Sequence, residues 1–279
     1  MKGGFTLLNG KFYREVEPLF SMMDIPRLND GVRESFRAGN NRIIFARDNF
    51  DFLVDSLSAM DLQLPEEWNF PRFVNDVSRL LNKNHLYLSA KVIIHFIPGE
   101  SGTDYVMSAE EIPSGFYPVK DGGLLIEFYS DGAKGISSYN AYEPSGRAIW
   151  TMALRAAQLM SKHNLIILNN NGFACESIGG SFGYLDGKTV VFPSTESQGY
   201  FPPVMTAIKS CARQCGFDII EKKEIDREDL LNADELFLAD NCSGIKPVLG
   251  LYARRYYTTA TMTIAAKLSD LAKNDHLAS

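Results

Sequence analysis

Hydrophobic residues in the first hundred positions follow strand and helix patterns in turn. Short apolar runs on either side of Asn9-Gly10 predict two strands joined by a tight turn over residues 5–13. Apolar residues then recur at helical spacing, which predicts amphipathic helices over residues 48–60 and 73–81. The apolar run from Leu86 to Ile97 predicts a long strand. This mixture is typical of a small α+β domain.

Regular spacing breaks down between Ser108 and Gly123, where prolines and glycines accumulate. We predict a linker there, and therefore an α/β protein with a small N-terminal α+β domain over residues 1–117 and a larger, strand-rich α/β domain over residues 118–279. Further predicted elements of the second domain are strands at 124–129, 165–168, 217–221 and 235–239, a hairpin at 182–192, helices at 145–161, 204–215 and 257–273, and a short helix at 230–231.

Composition places the chain among ordinary globular proteins. It has 279 residues, of which 45% are hydrophobic and 22% are charged. The net charge of −6 and the pI of about 5.3 disfavour a nucleic-acid partner, because an acidic surface repels phosphate. No apolar run reaches the roughly 18 residues of a membrane span, and the N-terminus lacks the apolar stretch of a signal peptide. We therefore expect a cytoplasmic protein that binds neither nucleic acid nor membrane.

A metal site is not predicted. The four cysteines form no CxxC pair, and the four histidines are scattered along the chain. Cys211 and Cys215 lie one helical turn apart, but no histidine is close enough in sequence to complete a metal site. We expect this pair to behave as small, buried hydrophobic residues.

Three stretches, in this order, resemble the class IV aminotransferase family, whose members are the fold-type IV PLP enzymes. The first runs from Asp30 to Arg37 and is similar to the family's D-G-V-F-E-T-x-R. The second runs from Leu165 to Ser177 and is similar to the family's strand, turn and cofactor-facing glutamate. The third, residues 231–248, contains A-D-E-L-F-L and G-I-K-P-V, similar to the family's A-D-E-V-F-L and its G-I-x-P-V turn. The resemblance covers residues 5–271.

The resemblance implies a D-amino acid aminotransferase-like fold and a homodimer with a PLP site in the cleft between the two domains. Branched-chain and D-amino acid aminotransferases and aminodeoxychorismate lyase belong to this family, so the implied ligand is amino-acid-like or another small anion. Glu176 lies where the family places the acid that holds the pyridine nitrogen protonated, so that the ring can act as an electron sink. We therefore assign Glu176 to the cofactor.

The lysine that binds PLP in the family is not found at the position that the resemblance indicates. Counting back from Glu176 along the family's helix pattern places Glu143 at the lysine position. Lys134 lies nine residues earlier, and a register shift of that size covers about 30 Å of extended strand. Lys162 lies at the far end of the predicted helix. We therefore predict that the lysine is lost.

The positions that bind the cofactor phosphate in the family are also changed. The family's H-x-x-R-L corresponds to residues 49–53, which puts Phe52 at the arginine position. Its P-G-I-T corresponds to residues 202–205, where Met205 replaces the threonine and Pro203 has no amide hydrogen to donate. We therefore expect that PLP is not bound covalently, and that the cleft is reused for an anionic small molecule or kept as a scaffold.

Several charged residues indicate chemistry that needs no PLP. Glu143 and Glu176 would face one cavity, where repulsion leaves one of them protonated as a general acid; alternatively, Glu143 faces solvent and stabilises a helix N-terminus. Arg33 and Arg37 are candidates for binding an anionic substrate, and a surface ion pair is the alternative for Arg33. Arg147 is another candidate for an anion contact, although a solvated helix face is the expectation for it.

The leading interpretation is a class IV aminotransferase homologue that has lost PLP catalysis. One alternative is an active PLP-dependent aminotransferase or aminodeoxychorismate lyase, which requires the lysine placement to be wrong. Another is a PLP-independent lyase or isomerase that uses Glu143, Glu176 and Arg33. A non-catalytic interaction subunit is a third, and the fold alone does not choose among these functions.

Overall fold

The computed structural model describes residues 4–15, 29–99, 102–113, 115–119, 122–143 and 147–275. Within these ranges the chain divides into two units. The first unit comprises the described residues up to Phe116, together with Tyr142, Glu143 and Asp275. The second unit comprises Tyr117–Ala141 and Arg147–Asn274. No helix in the described ranges is long and apolar enough to cross a membrane.

The first unit consists of an antiparallel sheet and two helices. Its elements are β1 (Phe5–Leu8), β2 (Lys11–Arg14), β3 (Val32–Gly39), β4 (Arg42–Ile43), α1 (Ala46–Ala59), α2 (Phe70–Lys83), β5 (Ser89–Pro98) and β6 (Thr103–Glu111). The strands are ordered β2-β1-β6-β5-β3-β4. Helical spacing predicted the faces of α1 and α2 that are buried, and both helices pack against this sheet.

An aromatic cluster fills the core of the first unit. Trp68 is almost fully buried and stacks on Phe50 at 5.2 Å between ring centroids. Phe73, from α2, meets Phe36, from β3, edge to face at 5.4 Å. Such pairs stabilise a core beyond the apolar area that they bury, so the sheet and the helices are held together by side chains from each element.

The predicted hairpin at the start of the chain is confirmed. Phe5–Leu8 pairs antiparallel with Lys11–Arg14, and the turn between them consists of Asn9 and Gly10. Both turn residues have positive φ, 48° and 81°, which is the backbone conformation that an Asn-Gly pair adopts at low cost.

The second unit is larger. Its elements are β7 (Leu124–Phe128), α3 (Ala148–Leu159), β8 (Asn164–Leu168), β9 (Ala174–Ser177), β10 (Ser181–Asp186), β11 (Thr189–Pro193), α4 (Val204–Gln214), β12 (Asp218–Lys222), α5 (Arg227–Asn232), β13 (Glu235–Asp240), β14 (Gly244–Leu251), β15 (Arg254–Arg255) and α6 (Thr259–Asn274). The main sheet is ordered β12-β11-β10-β13-β14-β7-β8-β9, and β15 pairs with β14 beside this path.

The part of this sheet formed by β7, β8 and β9 positions the site. β7 and β8 are parallel, and α3 lies between them in the chain, as in a βαβ unit. The buried alanines Ala153, Ala156 and Ala157 form the face of α3 that packs toward β8. β9 then returns antiparallel to β8.

Four sequence predictions are corrected by the observed elements. Residues 108–111, predicted as linker, are the end of β6, where they pair with β5. The predicted turn around Pro247 is part of β14, which pairs with both β13 and β7. The strand predicted from Leu86 begins at Ser89. The helix predicted from 145 is α3, which begins at Ala148, and residues 144–146 lie outside the described ranges.

Candidate active site

Glu176 lies on β9 with its side chain completely buried. The indole Nε1–H of Trp150 donates to one carboxylate oxygen, Oε1, at 2.8 Å. The main-chain N–H of Tyr200 donates to the other oxygen, Oε2, at 2.6 Å. A buried carboxylate is costly unless it is paired and hydrogen-bonded, so these donors indicate a built site at the position that the motif predicted.

Lys134 supplies the cation of this site. Its side chain is 7% exposed, and its Nζ is ion-paired with Glu176 Oε2 and donates to the carbonyl of Asn140 at 3.0 Å. The sequence argument that a nine-residue separation keeps Lys134 about 30 Å from the lysine position is therefore wrong. The buried lysine that pairs with the predicted cofactor acid is present in the chain.

Sheet pairing explains why Lys134 reaches Glu176. The main-chain N–H of Lys134 donates to Leu168 O at 2.8 Å, and Lys134 forms a parallel bridge with Asn169 just beyond the end of β8. Glu176 pairs with Ile167 on the other side of the same strand. The two side chains therefore flank the end of β8, whatever number of residues separates them along the chain.

The Lys134 amine has an unusual acidity. Burial lowers its pKa from the ordinary 10.5 to about 8, because desolvation disfavours the charged form. The neighbouring Arg147 lowers the pKa further, whereas Glu176 opposes the shift. A lysine of this kind has a sizeable neutral fraction near neutral pH, as a nucleophile or base requires.

Arg147 is the second cation at Glu176. Its side chain is 8% exposed, and Nη1 lies 3.4 Å from Glu176 Oε2. The guanidinium lies 4.2 Å from the centre of the Trp150 ring and 5.0 Å from that of Tyr200, as cation–π contacts. The prediction that Arg147 lies on a solvated face is wrong, because the start of α3 points this residue into the cluster.

Glu143 and Arg33 are paired in the first unit. Arg33 Nη1 lies 2.6 Å from Glu143 Oε1, and the main-chain N–H of Arg33 donates to the carbonyl of Glu143 at 3.0 Å. Glu176, which was predicted to share a cavity with Glu143, has its own cations in the second unit. Each carboxylate therefore has a cation beside it, and the premise that two unpaired carboxylates repel each other is not met. The ion-pair alternative for Arg33 is the one observed.

Arg37 is buried on β3. Its Nε donates to Gly115 O at 2.9 Å and its Nη2 donates to Pro113 O at 2.6 Å. These bonds hold the segment that follows β6 against the sheet. The proposed role of Arg37 in substrate binding stays a prediction.

The two side chains at the predicted phosphate positions are apolar and packed. Phe52 lies 5.4 Å from Tyr142 between ring centroids in the first unit. Met205, at the start of α4, is completely buried, and the preceding amide of Val204 donates to Asn241 Oδ1 at 3.3 Å. Neither Phe52 nor Met205 offers a hydrogen-bond donor to a phosphate.

The chemistry of the buried donor set is what a pyridoxal cofactor needs at its ring. A lysine amine that is partly neutral and a carboxylate held by fixed donors lie side by side. In the described part of the chain, no group of three or more His, Cys, Asp and Glu side chains is placed to hold a metal. The Lys134 and Glu176 pair therefore fits the reactive and ring-nitrogen ends of PLP.

Comparison with known families decides the classification. The family described as amino-transferase class IV matches residues 31–251. The chain belongs to the class IV aminotransferase family. A comparison with curated protein sequences finds no match.

Solved class IV structures share the fold over almost the whole chain. A branched-chain aminotransferase from Thermoproteus uzoniensis, solved with norvaline, has a TM-score of 0.84 at 19% identity, covering 99% of this chain and 95% of that one. A hypothetical aminotransferase from Mycobacterium tuberculosis, in its PLP-bound form, has a TM-score of 0.82 at 17% identity, covering 96% and 98%. The Escherichia coli branched-chain aminotransferase has a TM-score of 0.80 at 18% identity, covering 94% and 92%. The predicted two-domain fold is thus confirmed.

Sequence reasoning missed Trp150, Tyr200 and the carbonyl of Asn140, all of which hold the cluster. Trp150 follows Arg147 by three residues on the predicted helix, so both residues face the same side. Combined with a buried lysine on the neighbouring strand, this spacing is the signal that could have located the site.

Proposed function

We propose that this class IV family member is a PLP-dependent amino-acid aminotransferase in which Lys134 binds the cofactor. The observation that carries the proposal is the buried ion pair between Lys134 and Glu176 in the second unit. It supports the alternative that required the lysine placement to be wrong. The names of the similar structures, two of them branched-chain aminotransferases, make branched-chain amino acids the first substrates to test.

The chain's own residues would divide the work as follows. PLP, when bound, supplies an electron sink for the bonds around the substrate α-carbon. Lys134 would hold the cofactor covalently through Nζ and, once free, accept and return a proton at that nitrogen. Glu176 would accept a hydrogen bond from the ring nitrogen.

The donors around Glu176 would orient its carboxylate. The Trp150 Nε1–H and the Tyr200 N–H occupy different oxygens, so the plane of the carboxylate is held from two sides. Burial of the whole side chain excludes water, which strengthens each of these bonds. A carboxylate that must hold a cofactor atom requires such pre-organisation.

The proposal is tested by adding PLP to the purified protein and recording the visible absorption spectrum. Borohydride reduction and mass spectrometry then identify the modified lysine. We expect one adduct, on Lys134, which is absent from Lys134→Ala and retained in the control Lys162→Ala, since Lys162 pairs with Glu127 away from Glu176. In a sample that has not been reduced, loss of the visible absorption band on addition of a branched-chain amino acid would show the first half of transamination.

Failure to form an adduct on Lys134 would contradict the proposal and return attention to PLP-independent chemistry. A Lys134 adduct whose absorption does not change with any of a panel of L- and D-amino acids would support PLP binding but contradict the aminotransferase activity. The homodimer and the cytoplasmic location stay predictions, and gel filtration with light scattering measures the first of them.

A further inference from the structure

Glu176 would change its partner when Lys134 binds the cofactor. In PLP the aldehyde carbon and the ring nitrogen lie at opposite ends of the pyridine ring. A lysine bonded to the first and an acid bonded to the second therefore cannot keep the direct contact that Lys134 and Glu176 now make. Since Glu176 is completely buried, its carboxylate would exchange the Lys134 ammonium for the protonated ring nitrogen without help from water, so its other contacts would have to hold it in place.

Arg147 is placed to remain at Glu176 when Lys134 moves. Arg147 Nη1 lies 3.4 Å from Oε2, the same carboxylate oxygen that Lys134 contacts. Within the described residues, Arg147 Nε is buried and has no hydrogen-bond partner. A guanidinium with a long contact and an unused donor has hydrogen-bonding capacity left for the carboxylate.

We propose that Arg147 is a positioning residue that holds the Glu176 carboxylate in place while its partner changes from Lys134 to the ring nitrogen of the cofactor. This inference rests on the proposed function. Arg147 touches neither reacting atoms nor substrate in this role, because it acts through the carboxylate. The exchange of partners keeps a cation beside Glu176 in both states of the site.

The packing of Arg147 is suited to this exchange. Its guanidinium is held by the faces of Trp150 and Tyr200, whose rings lie 5.4 Å apart in an edge-to-face arrangement. Both residues also donate to Glu176, Trp150 through its indole and Tyr200 through its main chain. The aromatic contacts restrict the arginine without using its N–H groups. Nη1 donates to Glu176 Oε2 and Nη2 donates to Asn140 O, both at 3.4 Å, which leaves the Nε–H for a further hydrogen bond.

Arg147 also acts on Lys134 directly. The charged groups around the amine are Glu176, which stabilises its cationic form, and Arg147, which repels it. Cys175 adds no charge near neutral pH, because burial raises the pKa of its thiol. Burial is the main reason for the lowered pKa of Lys134, and the repulsion from Arg147 adds to it.

The test compares Arg147→Gln, Arg147→Lys and the control Arg155→Gln, since Arg155 is an exposed residue on the same helix. Lysine labelled with ¹³C at Cε reports the pKa of the Lys134 amine by NMR in protein without PLP, and the loss of one signal in Lys134→Ala assigns it. A PLP titration then gives the dissociation constant of each variant. Arg147→Met keeps the packing between Trp150 and Tyr200 and replaces Arg147→Gln if the latter does not fold.

We expect Arg147→Gln to raise the pKa of Lys134 above the wild-type value and to weaken PLP binding at least about tenfold. Without Arg147 the carboxylate loses the contact that positions it and pairs more tightly with the Lys134 ammonium, which PLP must displace. Arg147→Lys should restore much of both properties, and Arg155→Gln should change neither. A wild-type dissociation constant for PLP in Arg147→Gln would overturn the inference, whatever the pKa. If the wild type itself forms no adduct on Lys134, the proposed function fails. In that case an unchanged pKa of Lys134 in Arg147→Gln would also overturn the coupling between Lys134 and Arg147.

Discussion

Lys134 and Glu176 form an ion pair although they lie 42 positions apart in the chain. The pair exists because one strand, β8, has Lys134 beside its end and Glu176 on the neighbouring strand β9. The register of the sheet, which side-chain identity does not reveal, decides which residues meet. The length of the segment between Lys134 and α3 has no effect on that register.

The rate of PLP addition to the protein should follow the neutral fraction of Lys134. Because burial lowers the pKa of this amine to about 8, we expect the rate to rise about tenfold per pH unit below pH 8 and to level off above it. Stopped-flow absorbance from pH 6 to 10 measures this profile. The rate for an Nα-acetyl-lysine control, whose side-chain amine is free, should continue to rise until the pH reaches the ordinary pKa of lysine. A protein profile that keeps rising beyond pH 10 would show that Lys134 is not the reacting amine.

The same shift makes stability depend on pH. The pKa of Lys134 is lower in the folded protein than in the unfolded chain, so the unfolded chain binds more protons between about pH 8 and 10.5, and the free energy of unfolding rises with pH in that window. Between pH 8 and 9.5 the wild type should gain on the order of 2 kcal/mol relative to Lys134→Met. Urea denaturation of both proteins at several pH values measures the difference. Parallel curves for the two proteins would contradict the lowered pKa.

The two tryptophans offer a matched test of the hydrogen bond to Glu176. Trp150 donates to Oε1 at 2.8 Å, whereas the buried Nε1 of Trp68 has no partner among the described residues. We expect Trp150→Phe to weaken PLP binding by about 1–3 kcal/mol, because a buried charged acceptor loses a donor. Trp68→Phe, which removes a similar volume from the other unit, should leave PLP affinity unchanged. Equal effects of the two substitutions would indicate a packing effect only.

The ion pair between Arg33 and Glu143 should contribute modestly to stability. The side chain of Arg33 is 35% exposed and that of Glu143 is 9% exposed, so solvent screens part of the attraction across their 2.6 Å contact. A double-mutant cycle with Arg33→Gln and Glu143→Gln should give a coupling of about 1 kcal/mol. The exposed pair of Arg47 and Asp51 is the control and should give about 0.5 kcal/mol or less. No coupling for Arg33 and Glu143 would mean that the main-chain bond alone joins these residues.

Patterns that depend on local spacing were read correctly from the sequence. The Asn9-Gly10 hairpin and the helices α1 and α2 each follow from a few neighbouring residues. The assignment of Glu176 to the cofactor stays a prediction. Lys134 was excluded because counting along the chain assumes a fixed length for the segment before α3. That segment includes Tyr142 and Glu143, which belong to the first unit. The chain therefore leaves the second unit after Ala141 and re-enters it at Arg147, and a count of residues back from Glu176 does not reveal this.

β14 shows a second limit of local patterns. The resemblance to the family's G-I-x-P-V implied a turn at residues 244–248, and proline is indeed uncommon in central strands. In the structure Pro247 pairs opposite Phe237, and the ladder to β7 shifts register between Val248 and Gly250. The irregularity at Val248 and Gly250 accompanies a proline within a strand that has neighbours on both sides. Only the tertiary pairing reveals this.

The position of β14 has a consequence for synthesis of the chain. Lys134 and Glu176 are positioned by β7, β8 and β9. These three strands join the rest of the sheet through β14, where Leu251 pairs with Ile126. A ribosome must therefore translate residues as far as 251 before β7 gains its second neighbour. Until then the emerging segment has an unpaired apolar strand edge, the kind of surface that chaperones protect and that aggregates when a chain stops short. Nonsense mutations before β14 should accordingly yield insoluble fragments, even though every residue assigned to the site has already been made.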